Sequence, residues 1–78
     1  MKKYEEVIKR LQDSDTRYWA GDNISQHLEE GDKEQLIDNA TVAFEQVLDS
    51  LIIDRHNDPN SHGTARRLAK MYFNEIME

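Results

Sequence analysis

Cysteine is absent from the chain, which excludes disulfides and thiolate metal sites and fits a reducing compartment. Proline occurs once, at Pro59, and glycine only at Gly21, Gly31 and Gly63, so there are few places where a helix is forced to stop. Basic residues are in deficit, ten Lys and Arg against sixteen Asp and Glu, for a net charge of −6. An acidic chain repels phosphate backbones, so no nucleic-acid partner is expected. No apolar run approaches the ~20 residues needed to cross a bilayer, and the lysines near Met1 lead into no signal-type apolar core. The expectation is a cytoplasmic protein with no membrane partner. A chain of 78 residues allows one domain, 1–78, burying roughly 60% of its unfolded surface.

What the chain has in quantity is helical periodicity. Over Met1 to about Ser14, the residues Tyr4, Val7, Ile8 and Leu11 fall at i, i+3, i+4 and i+7, with charged residues on the other side. From Asp32 to Ile53 apolar residues hold the period at 36, 37, 40, 43, 44, 47, 48, 51 and 52. That run predicts a scaffold helix of ~31 Å at 1.5 Å per residue. Asp32 is placed to cap its start, with Gln35 completing a capping box. Between these helices, Gly21-Asp22-Asn23 and Gly31 mark breaks, Gly31 suiting a position just past a helix end, and 23–29 has room for a short extra helical turn. Tyr18 and Trp19 are read as a lid over the end of the core, in preference to a ligand-stacking pair. The predicted fold is all-α: a small bundle of three main helices and one extra turn.

Asp58-Pro59 breaks the chain, because proline fixes its own φ, lacks an N–H and drives the preceding residue out of the α region. Turn-forming residues follow to Gly63, and Thr64 stands where its hydroxyl could cap a last helix by accepting from the amide of Arg66 or Arg67. Ala65, Leu68, Ala69, Tyr72 and Ile76 form its predicted core stripe, leaving Met71, Phe73 and Met77 off it. Apolar side chains in such number on one short helix mark an interface. The pattern runs to Glu78 without a terminator, so the natural chain is expected to continue, 1–78 being its N-terminal part.

No catalytic, cofactor-binding or metal-binding residue is assigned. Asp54, His56, Asp58 and His62 could approach a divalent ion, but they lie across a proline-broken turn, and solvated turn residues are the preferred reading. No serine or threonine has a base in a nucleophile arrangement, and no glycine-rich loop follows a strand. Arg66, Arg67 and Lys70 are read as a solvated face complementing the eight carboxylates of residues 22–49.

Asp58-Pro59, then Gly63, then Thr64-Ala65-Arg66-Arg67-Leu68-Ala69-Lys70-Met71-Tyr72 resembles the N-terminal helical region of GTP cyclohydrolase I. That family shows an apolar helix followed by a DP…EGL…TP-x-R-V-A-K-M-Y run. The likeness covers about a third of the chain, Ala43 to Tyr72; Ala65 replaces the family's proline, its leucine after the glycine is missing, and the turn is shorter. The resemblance implies a non-catalytic assembly domain of an enzyme converting GTP to 7,8-dihydroneopterin triphosphate. Zinc and GTP would then belong to the C-terminal part of that enzyme, and the partners here would be the remainder of the chain and other subunits of a homo-oligomer. The other readings are a stand-alone acidic helical interaction module, docking through Phe73 and Met77, and a DNA-mimicking regulator using the carboxylates of 29–49.

Overall fold

The computed structural model describes residues 2–76, the last of them by its backbone alone. Three helices, α1 (Lys3–Asp13), α2 (Asp32–Ser50) and α3 (Thr64–Ile76), are joined by loops, the first carrying a 3-10 turn at Ser25–His27. No strand occurs among the described residues, so the chain is all-α as its periodicity predicts.

The first two helices stop by the same device. At the end of α1 the amide of Thr16 donates to Leu11 (2.9 Å) and that of Asp15 to Gln12 (3.1 Å), with Asp15 at φ 55°. At the end of α2 the amide of Ile53 donates to Leu48 (3.1 Å) and that of Ile52 to Asp49 (3.1 Å), with Ile52 at φ 60°. Both are Schellman ends, in which one left-handed residue lets the chain satisfy two orphan carbonyls. Aspartate tolerates that conformation; a β-branched isoleucine does not. The long helix therefore ends at Ser50, three residues before the expected Ile53.

The helix starts differ from expectation too. Gly31, at φ 85°, is the N-cap of α2, and Asp32 is its first helical residue, so Asp32 and Gln35 form no capping box and Gly31 opens a helix instead of closing one. Gly63, at φ 77°, precedes α3, and its carbonyl accepts the first helical bond, from Arg67 (3.1 Å). Thr64 is thus inside the helix, its hydroxyl donating back to the carbonyl of Asn60 (3.3 Å) rather than capping an amide.

Val7 and Leu11 of α1, Ile24 of the loop and Leu36 of α2 make the core, with Leu28 and Phe73 packed against it. Along the seam of α2 with α3, Ile37, Ala65 and Ala69 are buried. The two alanines lack bulk beyond Cβ, which permits a close approach of the helices. The face of α3 that packs is therefore 65, 69 and 73, while the predicted stripe residues Leu68 and Tyr72 stay 36% and 44% exposed. Helix α1 is ~16 Å long against ~28 Å for α2, and it meets α2 through Asp32, Leu36 and Asn39. The hairpin of α2 and α3 runs on past it. A radius of gyration of 14.1 Å and extents of 44 × 24 × 22 Å result, where a compact chain of this length would have ~11.5 Å.

Candidate interaction surface

The half of α2 that α1 does not reach, and the two residues after it, leave several apolar side chains in solvent. Val47 is 52% exposed, Leu51 63% and Ile52 89%. Ile52 is unfavourable twice over, with a strained backbone and a wet side chain, and strain of that kind clusters at functional positions. On α3 Met71 is 51% exposed, as its position off the core stripe predicts. Phe73 is not free in the same way: it is half-buried against Val7, Leu11, Ile24 and Leu36, and meets the edge of Tyr72 at 5.7 Å. Met77 lies outside the described residues.

The turn between α2 and α3 is held by its own polar side chains. Asp54 accepts from the amides of His56 and Asn57 and from the Asn57 side chain, which hold its carboxyl below the usual range, the Asn57 side chain contributing most. Asp58 accepts from the amide of Asn60 (2.9 Å) and the hydroxyl of Ser61 (3.0 Å), and Pro59 comes after it in an exposed position. Arg55 folds back on α2 to donate to Glu45 (3.0 Å) and Asp49 (2.9 Å). These carboxylates cap turns and bind arginine, and among the described residues no three His, Asp or Glu side chains gather to hold an ion. Arg66 pairs with Asp38 across the helices (2.9 Å), the complementarity expected of the basic run.

Two features stand at the other end, and their long-range partners could not be read from the sequence. Asp32, 2% exposed, accepts from Arg10 (2.8 Å) and from the amide of Glu29 (2.9 Å) and pairs with Lys3 (3.3 Å). Its carboxyl is held down to about 2, chiefly by the Arg10 guanidinium and then by the Glu29 amide. Arg10 also donates to the carbonyl of His27 (2.8 Å), so one guanidinium ties α1, the 3-10 turn and α2 together. A buried charge this well paired specifies how those elements meet.

The second feature is the segment 17–24. Arg17 makes two parallel bonds to Asp22 (2.9 and 2.8 Å) while its guanidinium lies 4.3 Å over the Trp19 ring. Asp22 also accepts from the amide of Trp19 (2.7 Å), and Gln12 donates to the Tyr18 hydroxyl (2.9 Å). Trp19 is nonetheless 71% exposed, so the pair is no closed lid. It edges a cavity of about 190 Å³ whose floor is Val7, Leu11, Ile24 and Leu36. Among the described residues no helix is long and apolar enough to cross a membrane. Compared with protein-family models, with curated proteins and with solved structures, the chain finds no match in any of the three.

Proposed function

We propose that this chain is the N-terminal helical domain of a GTP cyclohydrolase I-like enzyme, a packing and assembly element with no catalytic role of its own. The observation that carries the reading is the run from Asp58-Pro59 through Gly63 to Thr64-Ala65-Arg66-Arg67-Leu68-Ala69-Lys70-Met71-Tyr72, which comes after a long apolar helix as it does in that family. The fold is compatible with it: the proline break forms the turn, and the run begins α3 at Thr64. The uncovered apolar residues of α2, its C-terminal turn and α3, Val47, Leu51, Ile52 and Met71, supply a surface for the rest of such an enzyme or a neighbouring subunit to cover. Zinc and the GTP site would reside in the catalytic part.

The coding sequence beyond the Glu78 codon tests this. Cysteine- and histidine-bearing zinc motifs there, with GTP converted to 7,8-dihydroneopterin triphosphate by the full product, are the expected result. A stop codon directly after Glu78 overturns it. It would favour the second reading, a stand-alone acidic interaction module, for which the exposed and strained Ile52 is the specific support.

A further inference from the structure

Five of the six aromatic side chains in this chain, Tyr4, Tyr18, Trp19, Tyr72 and Phe73, line a cavity of about 190 Å³ between α1, the 17–24 segment and α3. They arrive from three separate elements, so no single helical face accounts for the convergence. We propose that this cavity is a binding site for a free, uncharged small molecule with a single aromatic ring, a site independent of any pterin chemistry.

Size, charge and preorganisation each point that way. An apolar cavity of ~150 Å³ is enough to admit benzene, and this one is somewhat larger. Among the described residues its only ionisable carboxylate or base is Asp22, and that group is already neutralised by the two bonds from Arg17, so this wall offers nothing to a second charge. A charged ring would leave water without a counter-charge to meet. The rim is set before any ligand arrives: the Trp19 ring is stacked under Arg17, its backbone N–H donates a hydrogen bond to the Asp22 carboxylate, and the Tyr18 hydroxyl accepts from Gln12. Aromatic side chains pinned by polar contacts while open to solvent lose little freedom on binding, which favours affinity. Ring faces and edges there can meet a guest ring in stacked or edge-on contact.

The test titrates the 78-residue chain with toluene, following amide and aromatic resonances by NMR. Saturable shifts confined to the cavity residues are expected, with a Kd on the order of 1 mM for a guest of about seven heavy atoms. Cyclohexane, similar in volume without a π face, should bind more weakly. Trp19→Ala removes an exposed side chain, so it should keep the melting temperature and weaken toluene binding roughly three- to tenfold. Ala20→Phe, at an exposed position lining the cavity, should fill the mouth and abolish binding. No saturable shift, equal binding of cyclohexane, or an unchanged Kd in both variants would each overturn the site. These outcomes are independent of the coding sequence beyond Glu78, so the site and the assembly-domain reading stand or fall separately.

Discussion

A left-handed backbone at Ile52 sets a branched Cβ against the next carbonyl, and glycine there would remove the clash. Because the side chain is nearly all in water, the Ile52→Gly change gives up little burial. It should raise stability by about 1 kcal/mol, less some extra freedom of the unfolded chain, read as a higher urea midpoint at unchanged slope. The sequence hid this position because 48, 51 and 52 continue the apolar period, and the glycine that usually announces such an end is missing. Asp32 was hidden differently. Sequence can recognise an Asp before a helix as a cap, but a partner 22 residues away, Arg10, is visible only in the fold. Its carboxyl lies at about 2 when folded against 3.8 ordinarily, so the unfolded chain binds the proton more readily. The stability this contributes is complete above pH ~4 and fades as pH falls toward 2, amounting to about 1–2 kcal/mol given the solvent reaching Arg10. Unfolding measured across that range should depend less steeply on pH in Asp32→Asn than in the parent, the lowered carboxyls of Asp22 and Asp54 remaining, and the change should cost about 1–2 kcal/mol, since Arg10 keeps His27 and Glu29 and Lys3 keeps Glu6.

At the scale of elements, three helices and the extra turn near 23–29 were legible because period and breakers agree there. The rotation of α3 was not. Apolar residues at 65, 68, 69, 72, 73 and 76 fit two adjoining faces, and only the presence of α1 and Leu36 selects the one carrying Phe73. Phe73→Ala should therefore lower stability by about 2 kcal/mol, whereas Met71→Ser on the open side should change it by less than about 0.5 kcal/mol. Equal effects from the two would put the helix in the other rotation. The cavity under Tyr18 and Trp19 was out of reach for the same reason: the pair stands out in the sequence, but its companions Tyr4, Tyr72 and Phe73 are brought to it only by packing. A lid and a rim use the same residues.

The whole molecule is longer than its core requires. Few large side chains are fully buried, and Leu11, 1% exposed, is central among them. At ~0.05–0.15 kcal/mol per residue a chain this size has only about 4–12 kcal/mol in reserve, and the thin core argues for the lower end. Leu11→Ala, at about 3 kcal/mol, should then leave a measurable unfolded population at 37 °C, seen as lost helical ellipticity well below the parent's melting temperature. A melt matching the parent's would show the core to be elsewhere. Trp19 adds a last consequence. The sole indole of the chain faces water in the native state, beneath a guanidinium, so global melting should hardly change the colour of its emission. The light it gives off reports whether Arg17 still covers the ring, and a chain that has lost its helices but kept that local clasp would look folded by that light.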